Sequence, residues 1–252
     1  LSILMCALTD RDWLTGFRTI HSQASRVPGV ECLVACDSYR WSSGQKRNWL
    51  TESSRGEYIA FVDDDDRVPA GYVESLLTAI ETGTPDVVTF DLNMRRRGWP
   101  DARQSFRANI QDKGAKDGET VVMAANHLCA WRREIATRVR WDPALGYGDD
   151  QLWYKPLALA GTYTEAHIAK VLYEYRFSDT MTANQRADRI AFAKKRYGDG
   201  VEVFELDGQV LIGLVNTKVS EGQERVFCRG MQQDYLWCDR AESTRLGIVT
   251  IH

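Results

Sequence analysis

Short apolar runs alternate with stretches of helical spacing over the first 92 residues of the chain. Four apolar runs predict strands: Ser2–Leu8, Val30–Cys36, Tyr58–Val62 and Asp86–Leu92. Three stretches between them predict helices: Arg11–Ala24, a segment that is capped near Ser42–Gly44 and ends at about Ser53, and Pro69–Thr82. Strands and helices that alternate at this spacing are typical of a Rossmann-like, doubly wound and mostly parallel α/β sheet.

The second half of the chain has a less regular pattern. We expect irregular chain over Asn93–Val122, followed by three helices and two strands: helices at Arg132–Val139, Asp149–Ala160 and Asn184–Tyr197, and strands at Thr162–His167 and Val171–Phe177. Farther on, Val201–Leu206 and Val210–Val215 flank Asp207-Gly208, which predicts a β-hairpin. The sequence therefore predicts an α/β domain over residues 1–198 and a small β-rich C-terminal extension over residues 199–252.

Composition narrows the class of protein. The chain has 252 residues, 44% of them hydrophobic, which is enough to bury the core of one α/β domain. With 32 basic and 35 acidic residues and a net charge of −3, the chain is not a bulk electrostatic binder of nucleic acid. No apolar run is long enough for a transmembrane helix, and the start of the chain does not have the pattern of a signal peptide. Its six cysteines form no Cys-x-x-Cys pair, so we expect free thiols, no zinc site and a cytoplasmic location.

Four consecutive aspartates, Asp63–Asp66, directly follow the third predicted strand. Adjacent carboxylates repel one another, and a hard divalent cation such as Mg²⁺ or Mn²⁺ would offset that repulsion. Asp63 and Asp65 point to the same side of an extended chain. Asp37 ends the second predicted strand, and ligands of parallel sheets bind at the carboxyl ends of strands. A solvated turn, or an N-cap cluster for the next helix, is the alternative interpretation of the run.

Several motifs resemble those of one enzyme family. The Asp63–Asp66 run and the strand before it resemble the Asp-x-Asp region of family-2 glycosyltransferases with the GT-A fold. The likeness spans Ser2 to about Phe177, and it includes the first strand, Asp37, Gly44-x-Lys46-Arg47-Asn48, Ala130–Glu134, Trp141-Asp142-Pro143 and Gly148-Asp149-Asp150. Membership of this family implies transfer of a sugar from a nucleotide-sugar donor to an acceptor.

The resemblance implies a donor site in residues 1–92, with a UDP-sugar as the donor. Asp37 would contact the nucleobase, and Asp63 or Asp64 the ribose. Asp65 would bind Mn²⁺ or Mg²⁺, with Asp63 as a second ligand and Asp66 in reserve. Further donor-binding residues would be Ala7, Leu8, Thr9, Arg11, Lys46 and Arg47. For the last two, a solvated helix face is the alternative.

The acceptor half, residues 93–198, contains a second acidic pair, Asp149-Asp150. The family carries Glu-Asp at this position, and its second acid is the general base of inverting transfer. By that resemblance, Asp150 would take the proton from the acceptor hydroxyl. Capping of the helix that starts here is the alternative, because carboxylates suit a helix N-terminus. The sequence leaves open which of the two acids acts as the base.

Three residues are candidates for contact with the acceptor: His127, Trp99 and Trp153. Aromatic faces stack on sugars and bases. A structural role for the histidine and core packing for the tryptophans are the alternatives. Many family members also carry a metal-binding His after a Tyr-Arg pair. Here Tyr175-Arg176 is followed by Phe177, so the metal would rest on the acidic cluster and the donor's diphosphate.

Two other functions remain open at this point. A nucleotidyltransferase on a similar sheet would also use carboxylates at strand ends, but the segment after the first strand lacks the glycines that bind a triphosphate. A non-catalytic module that binds a nucleotide-sugar is the other alternative, and the acid pair at residues 149–150 argues against it. The acceptor would be a glycan, a small molecule or a modified pyrimidine in phage-type DNA. In the last case the location would be the cytoplasm of the host.

Overall fold

The structure is a computed structural model that describes residues 1–96, 101–110, 116–117, 120–144, 149–177, 201–206, 209–215, 225–229 and 235–239. The chain divides into two compact units, Leu1–Asp179 and Thr180–His252. The expected helix at Asn184–Tyr197 lies outside the described residues. None of the described helices has the length and apolar character needed to cross a membrane.

The first unit is a mixed sheet with helices between its strands. Its strands are β1 (Ser2–Leu8), β2 (Glu31–Asp37), β3 (Tyr58–Phe61), β4 (Val87–Arg96), β5 (Ala102–Arg107), β6 (Lys116–Asp117), β7 (Thr120–Ala124), β8 (Ala130–Arg132) and β9 (Glu165–Phe177). Its helices are α1 (Trp13–Ala24), α2 (Ser43–Ser53), α3 (Tyr72–Gly83), α4 (Arg133–Ala136) and α5 (Asp149–Ala160). The expected α/β class is confirmed.

The amino-terminal half forms the parallel part of the sheet. β1 pairs in parallel with β2 on one side and with β3 on the other, so the carboxyl ends of all three strands meet at one edge. The buried faces of β1 and β3 carry the apolar core, and helices α1 and α3 contact each other and the strands. α3 begins at Tyr72, three residues after the predicted start at Pro69, because Gly71 adopts a left-handed conformation just before the helix.

The region 93–122 was expected to be irregular, and for its described residues this was wrong. β4 continues to Arg96 and pairs antiparallel with β5, which in turn pairs in parallel with β7. β9 is also one strand rather than the two expected, and it pairs in parallel with β4 through register shifts at Phe90–Leu92. These shifts interrupt the alternation of side chains, which is why the sequence pattern suggested a break.

The second unit contains a four-stranded antiparallel sheet. Its strands are β10 (Val201–Leu206), β11 (Gln209–Val215), β12 (Arg225–Arg229) and β13 (Tyr235–Asp239), and each pairs with the next. The predicted hairpin is present as the pair β10–β11, and the expected β-rich extension is therefore found. The boundary at residues 198 and 199 stays a prediction.

Helix α2 is fastened to the turn Trp141–Pro143 at several points. Ser42 caps the helix by accepting from Gln45 N, and its hydroxyl donates to the Pro143 carbonyl at 2.7 Å. Asn48 exchanges two hydrogen bonds with the Trp141 backbone, at 2.9 and 3.0 Å. A Cβ on Gly44 would lie 2.0 Å from the Asp142 carbonyl oxygen, so only glycine allows this approach.

Gly44→Ala is therefore expected to destabilise the chain by roughly 1–3 kcal/mol, because the new methyl group must push α2 away from this turn. Thermal or urea unfolding of the purified protein measures the change. Gly83→Ala is the matched control, since it ends helix α3 with no atom within 4 Å of the added Cβ. Equal stability of the Gly44 and Gly83 variants would contradict the close approach.

Candidate functional site

The carboxyl ends of three parallel strands meet at one edge of the sheet, and acidic residues collect there. β1 ends at Leu8, β2 ends at Asp37, and the run Asp63–Asp66 begins two residues after β3. The backbone joins these ends: Thr9 N donates to the Asp37 carbonyl at 3.1 Å, and Leu8 N donates to the carboxylate of Asp64 at 2.9 Å. The structure therefore brings Asp37 and the aspartate run to the same edge.

The four aspartates separate into two buried and two accessible side chains. Asp64 is 3% exposed and Asp66 is 1% exposed. The side chains of Asp63 and Asp65 are 27% and 43% exposed. The chain is not extended here but turns at residues 64 and 65, where Asp66 N donates to the Asp63 carbonyl at 3.2 Å, and this turn leaves Asp63 and Asp65 available to a ligand.

Arg11 neutralises part of this charge. Its Nη1 lies 2.6 Å from Asp64 Oδ1 and 3.2 Å from Asp65 Oδ2. Burial raises the pKa of Asp64 above its usual value, although Arg11 opposes the rise. Asp64 thus uses its two oxygens on Arg11 and on the backbone of β1.

Asp66 points into the core and belongs to the scaffold. The Tyr173 hydroxyl donates to Asp66 Oδ2 at 2.8 Å, and Arg176 N donates to Oδ1 at 2.7 Å. Burial and the nearby charges of Asp63 and Asp65 raise the pKa of Asp66 well above its usual value. Because both oxygens are used internally, Asp66 in this position does not fit the expected role as a reserve metal ligand.

Asp63 is held in the charged form by its neighbours. Arg47 Nη2 lies 3.2 Å from Asp63 Oδ1, and His127 Nε2 lies 3.5 Å from Oδ2. The Tyr173 hydroxyl also accepts from Asp63 N at 3.0 Å. Burial by itself would raise the pKa of Asp63, but His127 and Arg47 hold it well below its usual value.

Asp65 has the opposite environment. Burial and the charges of Asp63 and Asp64 raise the pKa of Asp65 to about 6, and Arg11 only partly opposes them. A carboxylate that its neighbours repel, and that still reaches solvent, suits a divalent cation. Within the part of the chain that the structure describes, however, no three His, Cys, Asp or Glu side chains are arranged to hold a metal by themselves.

Lys46 orients Asp37. Its side chain is 4% exposed, and Nζ lies 2.5 Å from Asp37 Oδ1 and donates to the Ala7 carbonyl at 2.8 Å. Trp41 N donates to the other oxygen of Asp37 at 2.6 Å. Burial by itself would raise the pKa of Asp37, but these donors together hold it below its usual value. The alternative that Lys46 lies on a solvated helix face is wrong.

Arg47 joins the two acidic groups. Its side chain is 7% exposed, Nη1 lies 2.6 Å from Asp149 Oδ2, and Nη2 lies 3.2 Å from Asp63 Oδ1. The charges of these acids raise the pKa of Arg47 although its burial opposes this, so the guanidinium stays charged. Arg47 thus connects the end of β3 with the start of α5.

The two acids at the start of α5 differ in exposure. Asp149 is 3% exposed, and its Oδ1 accepts from Asp150 N at 3.1 Å. Burial raises the pKa of Asp149, while Arg47 opposes the rise. Asp150 is only partly buried. Asp149 therefore has a structural partner on each side, and Asp150 is the acid that reaches solvent.

A central part of the chain matches a known protein family. Residues 38–140 match the family model of glycosyl transferase family 2. This part of the chain is therefore similar to family-2 glycosyltransferases. It contains Lys46, Arg47, the aspartate run and His127. No curated protein matches the chain.

Solved structures of S. aureus TarS share the fold. TarS 1–349 is 14% identical, with a TM-score of 0.50 over 70% of this chain and 60% of that one. Its complex with UDP-GlcNAc is 12% identical, with a TM-score of 0.52 over 74% and 61%. A further TarS structure is 15% identical, with a TM-score of 0.51 over 71% and 37%. The chain thus spans less than two thirds of these proteins, and the likeness shows the fold.

Two of the three residues predicted to contact the acceptor are buried in the structure. His127, within the matched residues 38–140, is 6% exposed and packs edge-on against Trp141, so it supports Asp63 and Arg47 rather than an open surface. Trp153 is 1% exposed and stacks on Trp141, and in this position it cannot reach an acceptor. Trp99 lies outside the described residues.

Tyr173 and Trp141 support the site, and sequence reasoning missed both roles. The Tyr173 hydroxyl bridges Asp63 and Asp66 from a strand more than 100 residues away. The Trp141 ring lies 4.7 Å from the guanidinium of Arg47. No local pattern marks Tyr173. Trp141 belongs to the motif Trp141-Asp142-Pro143, which resembles the family, and this resemblance could have indicated that it lies near the site.

Replacing Asp65 tests the repulsion in the metal-free protein. An acid with a raised pKa stabilises the folded state only while protonated, so this contribution is lost as pH rises from about 4 to about 6. We expect Asp65→Asn to be more stable than wild type at about pH 7.5, by roughly 1 kcal/mol after discounting for screening at a 43% exposed side chain, with no gain near pH 4. Thermal unfolding in a chelator measures this.

Glu52→Gln, at a side chain that is 59% exposed and outside the cluster, is the control and should show no such pH-dependent gain. An Asp65→Asn protein that is less stable than wild type at the higher pH would contradict the repulsion.

Proposed function

We propose that the chain is a metal-dependent glycosyltransferase that moves a sugar from a nucleotide-sugar to an acceptor hydroxyl with inversion at the sugar carbon. One observation carries the proposal: Arg47 joins the aspartates after β3 to the acid pair that opens α5. A donor site and a general base would then lie side by side. The family-2 match and the UDP-GlcNAc complex of TarS, which shares the fold, support a UDP-linked sugar as the donor.

The donor would lie along the edge formed by the ends of β1, β2 and β3, next to the backbone of residues 7–9. Asp37, which Lys46 orients and whose side chain is 19% exposed, would accept from the nucleobase through a further lone pair. The ribose would contact Asp63 rather than Asp64, because Asp64 is 3% exposed and both its oxygens are engaged. Arg11, with a side chain 27% exposed, is the cation of this edge best placed to face the diphosphate.

Asp65, with Asp63 beside it, would hold Mn²⁺ or Mg²⁺. The residues fit such an ion, since they offer carboxylate oxygens and an excess of negative charge. Oxygens of the diphosphate and water would complete the coordination. When bound there, the ion would neutralise the charge of the leaving diphosphate.

Asp150 would act as the general base, because it reaches solvent while Asp149 is bound to Arg47. Its carboxylate would accept the proton of the acceptor hydroxyl as that oxygen bonds to the sugar carbon. The bond from this carbon to the diphosphate oxygen breaks, and the electron pair leaves with the nucleoside diphosphate. Attack from the face opposite the leaving group inverts the configuration.

Asp65→Ala is expected to lose metal-stimulated turnover by at least about a hundredfold, because it removes the proposed metal ligand. Release of nucleoside diphosphate from a panel of nucleotide-sugars that includes UDP-GlcNAc, with and without Mn²⁺, measures this. Glu52→Gln should turn over like wild type. Full metal-dependent turnover in Asp65→Ala would reject the assignment, and release of pyrophosphate from a nucleoside triphosphate would favour a nucleotidyltransferase instead.

Asp150→Asn is expected to slow transfer by about 10²–10⁴, the usual contribution of a positioned general base. Binding of UDP with Mn²⁺, measured by calorimetry, should stay at the wild-type level, since this residue lies on the acceptor side. An unchanged rate of transfer would remove Asp150 from the mechanism. A parallel loss of UDP binding would place it in the donor site.

A further inference from the structure

Arg47 was expected to bind the nucleotide, but its contacts are all internal. Nη1 lies 2.6 Å from Asp149 Oδ2, while Nη2 lies 3.2 Å from Asp63 Oδ1 and 3.2 Å from His127 Nε2. Each terminal nitrogen therefore serves a different acidic group. Since the side chain is only 7% exposed, the guanidinium is not presented to a diphosphate.

Aromatic rings fix the position of this guanidinium. Its carbon lies 4.7 Å from the Trp141 ring, which stacks on Trp153 with ring centroids 4.7 Å apart and planes within 4°. Phe61, the last residue of β3, approaches the guanidinium at 5.8 Å. Trp153 lies on α5, four residues after Asp149. The stacked rings of Trp141 and Trp153 therefore connect Arg47 to the helix that carries the acid pair.

We propose that Arg47 is a positioning residue that holds the acid pair Asp149–Asp150 in register with the donor-side Asp63. Asp150 follows Asp149 directly and donates its backbone N–H to Asp149 Oδ1 at 3.1 Å, so a shift of Asp149 moves the base. A displacement of about 1 Å at a reacting group can cost about a hundredfold in rate. The inference rests on the proposed glycosyl transfer and deepens it.

The geometry requires an arginine. A planar guanidinium can donate from two nitrogens to two acids at once, whereas the ammonium of lysine is a single point of charge on a flexible stem. Arg47→Lys therefore keeps the positive charge and loses the simultaneous contact. This separates a positioning role from simple neutralisation.

The test compares Arg47→Lys with Arg140→Lys in the full chain. Arg140 is the matched control, because it pairs with Glu52 of the same helix α2 at 2.8 Å but has a side chain that is 74% exposed. We expect Arg47→Lys to lower kcat of transfer by about tenfold or more with the donor KM and the Kd of UDP–Mn²⁺ changed less than about threefold. Arg140→Lys should behave as wild type.

A double-mutant cycle distinguishes positioning of the base from general damage. In an Asp150→Asn background, Arg47→Lys should have little further effect on kcat, because its role acts through the base. Asp149→Asn, which breaks the same contact from the other side, should reproduce the loss of kcat, and it serves as the second variant if Arg47→Lys does not fold.

Several results would overturn the inference. A raised donor KM at unchanged kcat would make Arg47 a donor contact, and additive losses in the cycle would leave it a merely structural residue. If the wild type turns over a nucleotide-sugar and both Arg47→Lys and Asp149→Asn keep the wild-type kcat, this inference is rejected while the proposed function stands. Absence of turnover from every nucleotide-sugar in the wild type would reject the proposed function as well, which separates the two failures.

Discussion

The structure depends on compensation of the negative charge that collects where β1, β2 and β3 end. Helix α2 supplies two buried cations, Lys46 and Arg47, and the segment after β1 supplies Arg11. Three ion pairs result: Lys46 with Asp37, Arg11 with Asp64, and Arg47 with Asp63. Removing one partner of a buried ion pair costs about 3–5 kcal/mol, because the other charge is left uncompensated. The acidic edge therefore persists only while α2 stays in place.

The attachment of α2 explains why the stretch Gly44–Asn48 has its composition. Gly44 allows the helix to approach the backbone of the Trp141–Pro143 turn, and Asn48 binds that turn through two hydrogen bonds. The two cations between them face the acids. Lys46, Arg47 and Asn48 are polar, although they lie on the side of the helix that faces the rest of the protein. A prediction from hydrophobic periodicity alone would therefore place this side in solvent. Charge pairing, rather than apolar burial, fixes this helix.

Much of the fold could be predicted from the sequence, because β1, β2, α1 and α5 have strong local patterns that the structure reproduces within two residues. The extension of β4 and the strand β5 were missed because arginines and glutamine occur where an apolar alternation was sought. Asp37 and the aspartate run were found because strand ends are local signals. The bridging role of Tyr173 depends on a contact across 110 residues, which no local pattern encodes.

Burial separates carboxylates that the sequence presents as equivalent neighbours. In the run after β3, Asp64 and Asp66 are buried with their oxygens bound inside the protein, while the side chains of Asp63 and Asp65 remain partly exposed. The pair at α5 repeats this division, because Asp149 is bound inside and Asp150 reaches solvent. A carboxylate that receives a proton or a cation needs a lone pair that is accessible to the ligand. A buried neighbour with fixed contacts keeps such a carboxylate in place. Each adjacent pair has one buried acid and one partly exposed acid. Arg47 joins the two pairs, because it binds the buried Asp149 and the partly exposed Asp63.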